Sequence, residues 1–308
     1  MTGQPRVGWI GAGRMGTAMA TRLVAAGVDL TVTNRTRAKA EVLGALGASV
    51  ADRPVDLSTC EVVFVMVSAN ADLEEVVTGP DGVLSGESVP RIVVDCSTVS
   101  TETSAGVRAA CDARGVSFLA APVSGNPKVV SSGRLTMAVS GPRAAFDECA
   151  PFFAELGTGA TYVGEGEGAR LVKICHNMML GIVTQAMAEI TVLAEKGGIE
   201  RNAWLAFLND SVMGSMFTRY KTPAFVNLDF TPTFTPTLLR KDFDLGMHAA
   251  YEHDVPMPVS ALVTELVKAT VGAGYEDQDF AVLLLEAARG AGITLTPENV
   301  TIDDGLGA

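Results

Sequence analysis

Short β-branched runs alternate with stretches of helical periodicity through the first half of the chain. The runs VGWI from Val7, LTVTN from Leu30, VVFVMV from Val62, IVVDCS from Ile92, VSFLAAPV from Val116 and LTMAVSG from Leu135 carry this pattern to about Val163. Such a succession predicts a parallel, doubly wound α/β sheet. Beyond Gly164 the strand runs stop, and a long helical segment from about Ala169 to Lys196 opens a region rich in Ala, Leu and Met. The remainder therefore reads as all-helical. The stretch LDFTPTFTPT, Leu228 to Thr237, interrupts it. Repeated prolines block helix continuation, so an ordered loop is expected there. Helices resume near Leu238 and run to about Arg289, and the polar, glycine-containing tail from Leu295 is expected to fray. The expected division is an N-terminal α/β domain over residues 1–164, an all-α domain over 165–294 and a flexible tail over 295–308.

Composition narrows the class. The 308 residues suffice for two packed domains. Hydrophobic residues make up 48% and charged residues 19%. No apolar run reaches the ~18 uninterrupted residues of a spanning helix, so no membrane partner is expected. The N-terminus passes from MTGQP straight into a strand pattern without the marks of a secretory signal, which makes a cytoplasmic location the expectation. With 23 basic and 35 acidic residues the net charge is −12, which opposes binding to a phosphate backbone. Nucleic acid is not an expected partner. The same charge repels anionic small molecules at long range, so an acid-binding site needs local cations, for which Lys173 and Lys241 are candidates. Cys60, Cys96, Cys111, Cys149 and Cys175 form no CxxC pair, and His176, His248 and His253 lie in no ligand spacing. Reduced thiols, structural histidines and no metal site follow.

The segment VGWIGAGRMGTAMATRLVAAG places Gly11, Gly13 and Gly16 in GxGxxG spacing directly after a strand and at the start of a helix. In that context the first glycine permits a tight turn, the second lets backbone approach a pyrophosphate and the third allows close helix–strand packing. The loop Gly11, Ala12, Gly13, Arg14, Met15, Gly16 is thus a candidate dinucleotide site on a Rossmann sheet, with the helix N-terminus facing phosphate. The second strand ends in Asn34, Arg35 and Thr36 rather than in an acid. No carboxylate in this run repels a 2′-phosphate, and Arg35 can pair with it, so NADP(H) is favoured and NAD(H) stays open. Ligands of doubly wound sheets sit at the carboxyl ends of strands, which adds Val67, Ser68 and Thr98 as cofactor contacts. Ser97 and Thr98, followed by Glu102, also read as a helix start.

The run ARLVKICHNMMLGIVTQAMAE puts Lys173 and Asn177 at i and i+4, on one face of an otherwise apolar helix. Burial of such a lysine lowers its affinity for a proton and suits exchange with a substrate hydroxyl, while a snorkelling surface lysine is the plain alternative. Taken in order, the blocks IGAGRMG, DCSTVS, APVSGNPKVVSSGRLTMAVSG, KICHN and LLRKDFDL resemble the β-hydroxyacid dehydrogenases over about Val7 to Leu284. That group includes 3-hydroxyisobutyrate dehydrogenases, tartronate semialdehyde reductases, and glyoxylate and succinic semialdehyde reductases. The resemblance implies that Ser124 and Gly125 contact the substrate carboxylate and that Lys173 is the catalytic acid/base with Asn177 beside it. It also implies that Lys241 lies near the cofactor, with Asp242 supporting it. Two features depart from the family pattern. One more residue than usual separates Gly168 from Lys173, and the substrate turn reads SGNP, so that Asn126 brings a polar side chain to the substrate site. Met213, Met216 and Phe217 are candidates for an apolar substrate wall, and Glu276, Asp277 and Asp279 read as a solvated turn.

The function expected from these features is NADP(H)-dependent hydride transfer between nicotinamide and a small 3- or 4-carbon hydroxy acid, semialdehyde or keto acid, with the helical domain serving substrate binding and dimerisation. Alternatives are an imine reductase on the same scaffold, against which the lysine argues, and a non-catalytic NADP(H)-binding protein. The long apolar helical region predicts a homodimer or homotetramer.

Overall fold

The structure, a computed structural model, describes residues 5–307. The chain divides into two compact units, the first ending at Lys173 and the second beginning at Ile174. In the first unit the elements run β1 (Val7–Ile10), α1 (Arg14–Ala25), β2 (Leu30–Thr33), α2 (Arg37–Gly44), β3 (Ser49–Val50), β4 (Val62–Val65), α3 (Asn70–Thr78) and β5 (Ile92–Asp95). They continue as α4 (Thr101–Ala113), β6 (Ser117–Ala120), β7 (Val123–Ser124), α5 (Pro127–Ser131), β8 (Thr136–Val139), α6 (Arg143–Leu156) and β9 (Gly159–Tyr162). The first six strands form a parallel sheet in the order β3-β2-β1-β4-β5-β6, the Rossmann arrangement. Its central strands β1, β4 and β5 are buried at every position because both faces are covered. Along β4, Val62 and Phe64 enter the core on one face with Trp9, Leu23 and Phe153, whereas Val63 and Val65 enter the other with Leu73, Val107 and Phe118. This is the period of two of a strand buried on both sides. Each such side chain contributes roughly 1.5–3 kcal/mol by leaving water.

The run VSFLAAPV, expected as one strand, is two. Pro122 has no N–H to donate, and the chain leaves the large sheet there. It then starts a second sheet of order β7-β8-β9, in which β7 and β8 are antiparallel and β8 and β9 parallel. The run LTMAVSG accordingly belongs to this smaller sheet and not to the parallel one.

The helix α7 (Gly168–Lys196) opens in the first unit, and the second holds the rest of it with α8 (Arg201–Asp210), α9 (Met216–Asn227), α10 (Pro236–Glu252), α11 (Pro258–Gly272) and α12 (Leu283–Gly290). Among the described residues, α7 alone is long and apolar enough to cross a membrane by length and composition, and half of its most apolar window is buried inside the protein. A helix packed into a core on several sides has the same composition.

Two polar devices organise the second unit. The Asp279 carboxylate, expected in a solvated turn, is buried. It pairs with Lys221 at 2.5 Å and accepts from the Thr233 backbone N–H and hydroxyl at 3.0 and 2.6 Å. The Pro/Thr-rich loop folds back onto it, which a reading of the local sequence GYEDQDF does not reveal. Glu298, in the tail, accepts from the backbone N–H groups of Arg201 and Asn202 at 2.7 and 3.0 Å. It caps α8, whose own N-cap Glu200 makes no side-chain capping bond, and places negative charge at the helix N-terminus.

Candidate active site

The glycine loop between β1 and α1 has the geometry a dinucleotide requires. Gly11 has φ +102°, and a Cβ there would lie 2.1 Å from the Met66 carbonyl oxygen. At Gly16 a Cβ would lie 2.0 Å from the Gly11 carbonyl oxygen, so only glycine lets α1 come this close to the loop. Gly13 is the N-cap of α1, with nothing within 4 Å of a notional Cβ, no side-chain cap and no acid in the first turn. No side chain caps the first turn of the helix, which leaves it suited to phosphate binding. Ala12 is buried, Arg14 is exposed and Met15 packs partly against the core.

Asn34 braces this loop. Its Oδ1 accepts from the Ala12 N–H at 2.8 Å and its Nδ2 donates to the Thr36 carbonyl at 2.9 Å, so the side chain ties the end of β2 to the end of β1. A cleft of about 510 Å³ runs across these strand ends. It brings together Gly11, Gly13, Asn34, Arg35, Thr36, Val67 and Ser68, all expected from the sequence. It also gathers residues that were not expected. Lys39 and Arg53 add positive charge, while Asp52, Asp72, Glu75 and Asp81 add negative charge. The β2 run itself carries no carboxylate, but the cleft it lines does. Asp72, from the first turn of α3, pairs with Arg35 at 3.1 Å, a contact that no local reading of β2 contains.

Ser97 and Thr98 do not start the next helix. The N-cap of α4 is Ser100, which accepts from the Thr103 N–H. Ser97 instead lies fully buried, its hydroxyl accepting from the Val67 N–H at 2.9 Å and its own N–H donating to Asp95 at 2.9 Å. Arg170, in the first turn of α7, completes this network. It pairs with Asp95 and donates to the Ser97 carbonyl at 2.6 Å and the Ser104 hydroxyl at 3.0 Å. Asp95 is wholly buried and Arg170 is 2% exposed. The segment that carries the additional residue before Lys173 therefore also carries a buried anchor. Sequence reasoning missed it, although an arginine in the apolar run ARLVKIC was a signal of the same kind as Lys173.

In the SGNP turn, Ser124 ends β7 and is partly buried. Gly125 has φ +145°, and a Cβ there would lie 2.8 Å from Val129, so the position requires glycine. Asn126 was expected as a polar group for substrate, yet its side-chain oxygen accepts from the Val129 N–H at 3.1 Å and caps α5. Lys173, the last residue of the first unit, is partly buried rather than enclosed.

In the second unit Asn177 is buried. Its Nδ2 donates to Asp242 at 2.6 Å and its Oδ1 stands 3.0 Å from His176 Nδ1. Asp242 is 3.9 Å from the half-exposed Lys241 ammonium, so it holds Asn177 more closely than it holds Lys241. Met213 is exposed in the turn between α8 and α9, and Met216 begins α9 partly exposed.

A Rossmann sheet, a glycine loop that excludes a Cβ at Gly11 and Gly16 and an uncapped helix N-terminus define a dinucleotide-binding protein. Residues 6–164 match the NAD-binding domain of 6-phosphogluconate dehydrogenase, and residues 166–286 match the NAD-binding region of NADP-dependent 3-hydroxyisobutyrate dehydrogenase. Glyoxylate/succinic semialdehyde reductase 1 of Arabidopsis thaliana is 33% identical over 280 residues, covering 90% of this chain and 96% of that protein. Among solved structures, 3-hydroxyisobutyrate dehydrogenase from Salmonella typhimurium superposes with a TM-score of 0.80 at 25% identity, over 91% of this chain and 99% of the other. Psf3 in complex with NADP+ and 2-OPP gives 0.79 at 26% identity, over 91% and 99%. The chain belongs to the β-hydroxyacid dehydrogenase family. It is an NAD(P)-dependent hydroxyacid or semialdehyde dehydrogenase.

Proposed function

We propose that this enzyme uses NADP(H) to interconvert a small 3- or 4-carbon semialdehyde or keto acid and its hydroxy acid, with Lys173 as acid/base. The observation that carries the reading is the pair Lys173 and Asn177 at i and i+4 on α7, with the Asn177 carboxamide held by Asp242. The bound nicotinamide supplies or accepts the hydride. In reduction Lys173 donates a proton to the carbonyl oxygen, and in oxidation it removes the hydroxyl proton. Asn177 orients the same oxygen or the carboxylate. Ser124 and the backbone at Gly125, a turn that offers N–H groups and a hydroxyl without bulk, receive the substrate carboxylate.

NADP(H) over NAD(H) is supported by Arg35 and Thr36 at the end of β2 and by Lys39 in the same cleft. The Psf3 complex with NADP+ points the same way. A homodimer or homotetramer in the cytoplasm completes the proposal. Apolar side chains exposed at i and i+3 support the assembly, Ile190 with Leu193 on α7 and Val259 with Leu262 on α11.

The test is NADPH oxidation across a panel of small semialdehydes, keto acids and cyclic imines, with Lys173→Ala as control. Turnover of one or more semialdehydes or keto acids that falls roughly 10²- to 10⁴-fold in the variant is expected. Activity that survives the substitution refutes the role of Lys173, and turnover of imines alone refutes the substrate class.

A further inference from the structure

The cleft that holds Arg35 contains a second arginine, Arg53. β2 and β3 pair in parallel with Thr31 opposite Ser49 and Val32 opposite Val50, and the Ala51 N–H extends the ladder by donating to the Val32 carbonyl at 2.9 Å. Adjacent strands lie about 4.8 Å apart, so the residues that follow each strand leave the sheet side by side. Arg35 follows β2 and Arg53 follows β3, and both line the cleft.

The backbone of Arg53 is fixed. Its N–H donates to Asp56 at 2.9 Å, and Pro54 follows at the first position of a 3-10 turn, which restricts the conformation of the residue before it. Its guanidinium reaches Asp81 at 3.1 Å through Nη1 and Asp56 at 3.2 Å through Nη2. An arginine has five N–H donors in a fork, so the group keeps donors for an oxyanion. Asp81 lines the same cleft, as does Asp72, the partner of Arg35. Both arginines thus rest against carboxylates in exposed ion pairs, Arg35 on one and Arg53 on two; such pairs are weak, and a phosphate carrying up to about two negative charges competes with them for the guanidinium groups.

We propose that Arg53 is a cofactor-discriminating residue, a second arginine that receives the adenosine 2′-phosphate opposite Arg35, and that Asp81 holds it when no phosphate is bound. The proposal rests on the NADP(H) reading above.

Calorimetric titration of the full chain with adenosine 2′,5′-bisphosphate and with AMP tests it without reference to turnover. The wild type binds the bisphosphate more tightly than AMP. Arg53→Ala is expected to weaken the bisphosphate about tenfold, as loss of a charge-assisted contact does, and to change AMP by less than about twofold. Arg53→Lys is expected to recover part of the loss, and Asp81→Asn to tighten the bisphosphate a few-fold. If Arg35→Ala separates the two ligands while Arg53→Ala weakens both equally or neither, the role of Arg53 is refuted and the NADP(H) reading stands. If the wild type shows no preference for the bisphosphate and Arg35→Ala creates no difference, both fall. The side chain of Arg53 is more than half exposed, so these variants are expected to keep the wild-type melting temperature, which is checked in parallel.

Discussion

Removing Asp95 isolates a buried guanidinium. In the Asp95→Ala variant, Arg170 keeps the Ser97 carbonyl at 2.6 Å and the Ser104 hydroxyl at 3.0 Å but loses its ionic partner, and the Ser97 N–H loses its acceptor. With both partners at 2% exposure or less, water cannot replace the carboxylate. Breaking one side of a buried pair costs about 3–5 kcal/mol, because the remaining charge stays desolvated. In a unit of this size each kcal/mol moves the melting temperature by about 2–4 °C, so a fall of roughly 6–20 °C in the transition of the first unit is expected. The assay is thermal unfolding followed by circular dichroism and calorimetry. A double variant, Asp95→Ala with Arg170→Met, removes the stranded charge and is expected to melt above Asp95→Ala alone. A drop below about 2 °C for the single variant, or strict additivity of the two changes, refutes the view that the pair is a coupled buried unit. Arg170 stands three residues before Lys173 on α7, so loss of the anchor is also expected to lower turnover.

Thiol chemistry and acid stability give further checks. Cys175 is exposed, whereas Cys60, Cys96, Cys111 and Cys149 are buried, and burial raises all four thiols, Cys111 and Cys149 to about 12. A chromogenic disulfide reagent at neutral pH is therefore expected to titrate one thiol per native chain, and a second fast thiol contradicts this. Burial by itself would push the Asp279 carboxyl up. The Lys221 ammonium and the hydrogen bonds from Lys221, Thr233 and the Ala281 N–H outweigh it and hold the group below its ordinary value. A carboxyl depressed in the folded state contributes stability that is complete above about pH 4 and is lost as the pH falls through the folded value. Asp279→Asn is expected to flatten the acid limb of stability below about pH 4, and an unchanged slope refutes the assignment.

Much of the fold was legible because strands buried on both faces are largely apolar, and the runs around Val7, Leu30, Val62 and Ile92 each became a strand. The glycine loop was equally plain, since Gly11 and Gly16 occupy positions where any Cβ collides with backbone oxygen. The two-residue β3 was not, because Ser49 and Val50 are too few to carry a periodicity. Nor was the split at Pro122, where one apolar run serves two sheets.

The sequence by itself determined the layer architecture, the dinucleotide loop and the Lys173–Asn177 spacing, because each depends on periodicity or on contacts within a few residues of chain. Tertiary structure alone decided which charges meet. Arg35 faces Asp72, Arg53 faces Asp81, Arg170 reaches back to Asp95, Lys221 is closed against Asp279, and Asn177 is fixed by Asp242. These partners lie between 28 and 75 residues apart along the chain. Coulombic and hydrogen-bonding energies depend on distance in space and on the local dielectric, and a linear sequence records neither.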